Sequence, residues 1–167
     1  GTIAVRSKPG CGTTFILDLL NDCVPAAAVK AHAPRATVTF ASLRGKHILV
    51  CDDHPLNRQI LAALLVKQGM VVDTAEDGQH ALDTIEVVPV DHYAAILMDV
   101  RMPVMDGLTA TAMIRALPRP DAATVPIIAV TANAYAEDIK ECLEAGMNDH
   151  LSKPKKKKKL YSTLAKY

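Results

Sequence analysis

Aromatic residues are scarce: they make up 4% of the 167 residues, and tryptophan is absent. Half of the chain is apolar, so its core must be built from Ala, Val, Ile, Leu and Met. That favours helices packed on a buried sheet over an aromatic-rich sandwich. Cysteine is thinly spread as well. Cys11, Cys23, Cys51 and Cys142 form no C-x-x-C pair and no Cys/His pattern of the kind zinc sites use, and reduced cytosolic thiols are expected. Long apolar runs are missing: the longest, ILAALLV at 60–66, falls far below the roughly 18 residues that would suggest a membrane span. No signal peptide is expected, and no G-x-G-x-x-G follows the first strand of the regular part, which argues against dinucleotide binding. Nor is there a general excess of positive charge. The formal net charge is +1, but Lys153 and the run Lys155 to Lys159 hold six of the 19 basic residues, leaving 13 against 18 acidic ones. A broad nucleic-acid surface is therefore not expected.

What is present fits one ordinary domain with an appendage. The opening lacks Met, so the chain is read as a piece of a longer protein. TIAVRS and TTFILDLL, separated by KPGCG, predict two strands joined by a turn within 1–20. Residues 21–45, rich in Ala with two prolines and no sustained period, read as a linker. From Lys46 onward short apolar strands alternate with helical patterns. HILVC precedes PLNRQILAALLVKQG, in which Leu56, Ile60, Leu64 and Lys67 fall at helical spacing, with Pro55 at the start and Gly69 as the stop. Then come MVVDTA and GQHALDTIEVV, YAAILM and GLTATAMIRAL, VPIIAVT and AYAEDIKECLEAG, and DHLS with KKKKLYSTLAKY. Five β/α units in about 120 residues predict an α/β fold, a parallel sheet covered by helices on both faces.

Ligands of such sheets gather at the carboxyl ends of the strands. The polar residues just past those ends are Asp52 and Asp53, Asp99, Thr131, and Lys153 followed by Pro154. Taken singly, each has an ordinary explanation, a helix cap for the Asp and Thr residues and a solvated charge for the lysine. Together they place three carboxylates, a hydroxyl and an ammonium on one rim. Crowded carboxylates repel unless a cation neutralises them, and an all-oxygen cluster suits Mg²⁺. With the hydroxyl and the ammonium opposite, the set is what phosphoryl transfer to a carboxylate requires.

The segments ILVCDDHPLNRQI, ILMDVRMPVMDG, IIAVTANA and AGMNDHLSKP resemble the receiver domains of two-component signalling, and the likeness runs over 46–167. It implies a doubly wound, flavodoxin-like (βα)5 fold with strand order 2-1-3-4-5. It also implies roles. Asp99 is the expected phosphoacceptor; Asp53, with Asp52 helping, and the backbone carbonyl of Arg101 are expected to hold Mg²⁺ or Mn²⁺. Thr131 and Lys153 are expected on the phosphoryl oxygens, and Lys153–Pro154 is the expected cis peptide. Pro103 and Gly107 match the turn after the acceptor strand, while Asp106 reads as the cap of the next helix. Thr131 and His150 correspond to the switch pair of the family, His150 standing where Tyr or Phe is common. Arg101 and Asn133 occupy positions that tune phosphate lifetime.

Residues 1–20 are similar to the last strand pair of the ATP-binding domain of histidine kinases, without its nucleotide-binding boxes. Kinase tail, linker and receiver in that order imply a hybrid sensor histidine kinase. On this reading the piece would catalyse only its own phosphorylation and dephosphorylation. It would take the phosphoryl group from a kinase core of its own or a sister protomer and relay it to a histidine phosphotransfer protein or domain. No nucleic acid and no membrane contact are expected of it. A cytoplasmic location follows, with inner-membrane anchoring open for the parent protein. The alternative is a degenerate receiver that serves as an interaction module without phosphorylation. An aspartyl phosphatase would want a second Asp two residues after the nucleophile, where this chain has Arg101. The run Lys155 to Lys159 departs from the family pattern; it reads as a solvated cluster that weakens the start of the last helix by opposing the macrodipole.

Overall fold

The computed structural model describes residues 2–8, 12–18, 43–131, 136–153 and 157–167. The chain divides into two units, Gly1–Thr37 and Val38–Tyr167. In the first, β1 (Thr2–Lys8) and β2 (Gly12–Asp18) pair antiparallel, Thr2 opposite Asp18 and Lys8 opposite Gly12. Of the stretch read as linker, residues 21–42 lie outside the described residues. Leu43, also inside that stretch, is buried in the core of the second unit.

The second unit alternates β3 (His47–Cys51), α1 (Pro55–Val66), β4 (Val71–Ala75), α2 (Gly78–Val87), β5 (Tyr93–Asp99), α3 (Gly107–Ala116), β6 (Ile127–Thr131), α4 (Ala136–Glu144), β7 (Asp149–Ser152) and α5 (Lys157–Leu164). All five strands are parallel, in the order β4-β3-β5-β6-β7. Numbered within the sheet, this is the 2-1-3-4-5 order of a flavodoxin-like fold. Short β-branched and aliphatic runs, apolar on both sides, suit strands buried on both faces.

The two-residue period of the strands sorts their side chains into two cores. Leu49 and Cys51 of β3, Ile96 and Met98 of β5, and Ile127 and Ala129 of β6 face one way, against Ala81, Leu82 and Ile85 of α2 and Ala110 and Ile114 of α3. Ile48, Val50, Ala95, Leu97, Ile128 and Val130 face the other, against Leu61 and Leu65 of α1 and Leu160, Tyr161 and Leu164 of α5. The apolar spacing in α1 marks a helix but not its buried face. Leu61 and Leu65 point inward, whereas Leu56 and Ile60 are 55% and 49% exposed. The helix is apolar nearly all round, so periodicity could not choose between the two stripes.

Of the run Lys155 to Lys159, Lys157 to Lys159 form the exposed first turn of α5, while Lys155 and Lys156 lie outside the described residues. Among the described residues, no helix is long and apolar enough to cross a membrane.

Candidate functional site

The site follows from the topology. The chain leaves β3 toward β4 on one side, then returns to place β5 on the other, which opens a crevice between the carboxyl ends of β3 and β5. Cys51 lies opposite Met98, Asp99 opposite Val130, and Thr131 opposite Ser152. Register alone therefore brings Asp52, Asp53, Asp99, Thr131 and Lys153 to one rim. Asp99 is the last residue of β5 rather than the first beyond it.

Lys153 ties the rim together. Its amide donates to the Thr131 carbonyl at 2.7 Å. Its Nζ lies 2.5 Å from Asp99 Oδ2 and 2.8 Å from Asp52 Oδ2. One ammonium thus serves two buried carboxylates from an outer strand. Asp52 Oδ1 also accepts from the His54 amide at 3.1 Å and from Asn57 Nδ2 at 3.0 Å. Arg58 Nη1 donates to the carbonyls of Asp52 at 2.6 Å and Asp53 at 3.1 Å. These bonds hold the acidic pair against the first turn of α1. Neither Asp is the N-cap of that helix; the position belongs to His54, which makes no side-chain cap bond.

Electrostatics separates the two buried acids. Burial pushes the Asp52 carboxyl up, but hydrogen bonds from Lys153, Asn57 and the His54 amide outweigh it and leave the group below the usual carboxylate range. Asp99 comes out above that range, because burial outweighs the Lys153 hydrogen bond and Asp52 repels its charge. Burial disfavours the Lys153 ammonium, yet its bonds to Asp52 and Asp99 raise its pKa overall. Three acids against one half-buried lysine leave negative charge in excess. Asp52, Asp53 and Asp99 each offer a carboxylate oxygen, all within 4.8 Å of one another. Octahedral Mg²⁺ bonds of 2.0–2.1 Å place opposite ligands about 4 Å apart, so this donor set fits a hard divalent cation after small side-chain movements.

The loop after β5 is held close to the acceptor. Gly107 N donates to the Val100 carbonyl at 3.0 Å, and a Cβ on Gly107 would stand 2.1 Å from the Asp99 carbonyl oxygen. Arg101 N donates to Asp99 Oδ1 at 3.3 Å, while the Arg101 side chain is exposed. Asp106 caps α3, its carboxylate accepting from Thr109 N at 2.8 Å. Val104, in the same loop, adopts a left-handed φ of 66°. Thr131 is buried and, with Arg101 and Asp106, lines a groove that Asp138 and Glu141 of α4 close from the other side.

His150 is half-buried in β7 opposite Ala129, its Nδ1 3.8 Å from Asp149 Oδ1. Asn133 and Pro154 lie outside the described residues. Asn57, Arg58 and the close approach of Gly107 escaped the sequence reading. Asn57 and Arg58 sit in the first turn of α1 beside the acids, where the polar run Asn57–Arg58–Gln59 in an otherwise apolar helix was the available signal.

Residues 48–165 match the response regulator receiver domain family. The chain belongs to this family. The receiver is 43% identical to the receiver domain of the sensor histidine kinase PA1611 of Pseudomonas aeruginosa PAO1, solved with a magnesium ion coordinated in its active site cleft. That similarity covers 74% of this chain and 97% of the other, with a TM-score of 0.67. Over 140 residues, 84% of its length, the chain is 42% identical to the sensor histidine kinase RcsC of Salmonella typhi, of which it spans 14%. A third similarity is to a co-crystal structure of the Saccharomyces cerevisiae histidine phosphotransfer protein Ypd1 with the receiver domain of its downstream response regulator Ssk1. It shows 27% identity and a TM-score of 0.68 over 75% of this chain and 90% of the other.

Proposed function

We propose that the receiver takes a phosphoryl group from a phosphohistidine onto Asp99 and passes it on within a phosphorelay. The observation that carries this is Lys153, whose ammonium is drawn from the outer strand to within 2.5 Å of Asp99 Oδ2. A carboxylate that merely ended a turn would need no such partner.

In the proposed reaction an Asp99 carboxylate oxygen attacks phosphorus in line. The P–N bond of the donor breaks, the imidazole keeps its electron pair, and an acyl phosphate forms. Asp53 and Asp52, with the Arg101 carbonyl, hold Mg²⁺, or Mn²⁺ in its place, which supplies charge neutralisation on the phosphoryl oxygens when bound. Lys153, already on Asp99, contacts a second oxygen, and the Thr131 hydroxyl a third. Burial raises the Asp99 pKa, and Asp52 and Asp53, by holding a cation beside it, would favour the Asp99 carboxylate that acts as nucleophile. Arg101 and Asn133 set how long the phosphate survives. Thr131 and His150 carry the change outward, the half-buried imidazole replacing the usual aromatic ring.

The parent is a hybrid histidine kinase, with residues 1–20 the remnant of its ATP-binding domain, 21–45 a linker and 46–167 the receiver. Its kinase core, or that of a sister protomer, is the donor, and a histidine phosphotransfer module is the recipient. Exposed Leu56 and Ile60, in the first turns of α1 beyond Asp53, support docking of a helical partner beside the acceptor. The similarity to the Ypd1–Ssk1 co-crystal structure supports the same partner class. Placement in the cytoplasm and anchoring of the parent in the inner membrane belong to this proposal.

The test is beryllofluoride with Mg²⁺, a mimic of the acyl phosphate. A raised melting temperature and shifted amide signals around Asp99 and Thr131 are expected. No response would overturn the phosphoacceptor reading in favour of an interaction module without phosphorylation.

A further inference from the structure

At the opposite end of the sheet, His47, Asp73 and His92 come together from three neighbouring strands. His47 opens β3, Asp73 lies in β4 opposite Leu49, and His92 immediately precedes β5, whose first residue pairs with His47. Sheet order places β3 between the other two. One ligand atom from each residue lies within 4.8 Å of the others. His47 stands five residues before Asp52, about 16 Å along a strand, so this cluster is separate from the acidic rim.

Ordinary hydrogen bonding does not account for the arrangement. His92 Nε2 is 3.7 Å from Asp73 Oδ2, beyond hydrogen-bond length. The His47 and His92 rings approach to 4.3 Å between centroids, tilted by 50°. His47 Nδ1 is buried with no hydrogen-bond partner among the described residues, a state that costs free energy. Asp73, in contrast, is already fixed, because buried Tyr93 donates its hydroxyl to Asp73 Oδ2 at 3.0 Å. A carboxylate oriented by a donor behind it is the usual outer shell of a metal ligand.

We propose that His47, Asp73 and His92 form a second metal site, selective for zinc-like transition ions over Mg²⁺. Two imidazoles and a carboxylate are a borderline-soft N/O set, which Zn²⁺ takes and Mg²⁺ does not. Tetrahedral bonds of 2.0–2.1 Å put ligand atoms about 3.3 Å apart. The His92–Asp73 edge, at 3.7 Å, is near that value. The wider separations close by rotation of the His92 ring toward the carboxylate that Tyr93 holds, on a side where His92 is 26% and Asp73 46% exposed. That exposed side leaves the fourth corner to water and gives the ion its path in. A bound ion would staple the middle of β4 and the first residue of β3 to the start of β5.

The experiment uses the receiver stripped by chelator, kept in millimolar Mg²⁺ so that the acidic rim is occupied, and titrated with ZnCl₂ by calorimetry. One equivalent should bind, and the melting temperature should climb with zinc concentration. The His47 and His92 ring signals should shift in NMR spectra while those of His54 and His150 stay. His92→Ala and Asp73→Asn should each weaken zinc at least tenfold, whereas Glu144→Gln, an exposed carboxylate of α4 outside both clusters, should leave zinc affinity unchanged. The proposal is overturned by the absence of saturable binding under Mg²⁺, by wild-type affinity in both variants, or by ring shifts confined to other histidines. The last criterion needs only the wild-type chain, so it decides the matter even where a variant does not fold.

Discussion

Replacing Gly107 with alanine perturbs the acceptor through its own backbone. The added Cβ would sit 2.1 Å from the Asp99 carbonyl oxygen, 2.9 Å from Met98 Cγ and 3.0 Å from the Asp99 carbonyl carbon. The first separation is more than an ångström short of ordinary contact, and its partner is backbone inside the central sheet. Relief therefore requires the start of α3 to move outward, which also stretches the 3.0 Å bond from Gly107 N to the Val100 carbonyl. Overpacking of this kind costs about 1–3 kcal/mol, and the upper end applies where backbone cannot yield. The strained hydrogen bond adds about 1 kcal/mol, and the entropy gained from replacing glycine returns about 0.4–1 kcal/mol. A net loss of about 3 kcal/mol is expected, read as a lower urea midpoint at unchanged slope. Beryllofluoride affinity, measured well below that midpoint, should fall as well. A loss under about 1 kcal/mol with wild-type beryllofluoride binding would refute the reasoning, because the acceptor strand and α3 would then not be in the close contact described.

Three further outcomes are expected. Val104→Asn should raise stability by about 1 kcal/mol in chemical denaturation, since a β-branched residue at φ 66° is strained, asparagine tolerates that conformation, and an 86% exposed side chain gives up no packing. Asp99→Asn should be more stable than wild type at pH 7 without divalent cation. The folded chain holds the Asp99 proton more tightly than the unfolded chain, so the wild type loses stability as pH rises through the raised pKa, while the amide does not titrate. Melting curves at pH 4 and pH 7 should show the advantage shrinking at the lower pH. Leu61→Ala should cost about 2–5 kcal/mol, and Ile60→Ala well under half of that, because only the first empties the core. Equal losses would reverse the assignment of the α1 faces.

Much of this was legible because one rule, polar residues at the carboxyl ends of apolar strands, picks out the rim without coordinates. HILVC and DHLS coincide with β3 and β7 residue for residue. Asp106 could be recognised as a cap because a helix start lay directly after it. What stayed hidden depends on contacts between distant segments. The ring approach of His47 to His92 links residues with no characteristic spacing, and the closeness of Gly107 to the Asp99 carbonyl is a matter of backbone path. The strain at Val104 is likewise a dihedral angle, which a residue type does not announce. The outward face of α1 was hidden for a different reason: when both stripes of a helix are apolar, only the tertiary fold decides which is buried.

Intact-mass measurement after incubation with acetyl phosphate and Mg²⁺ tests the central claim most directly. The account predicts that the wild-type chain gains the mass of one phosphoryl group, that Asp99→Asn gains none, and that fragmentation of the wild type places the group on Asp99. Phosphorylation of Asp99→Asn to the wild-type extent would contradict it, as would a wild-type chain that gains nothing.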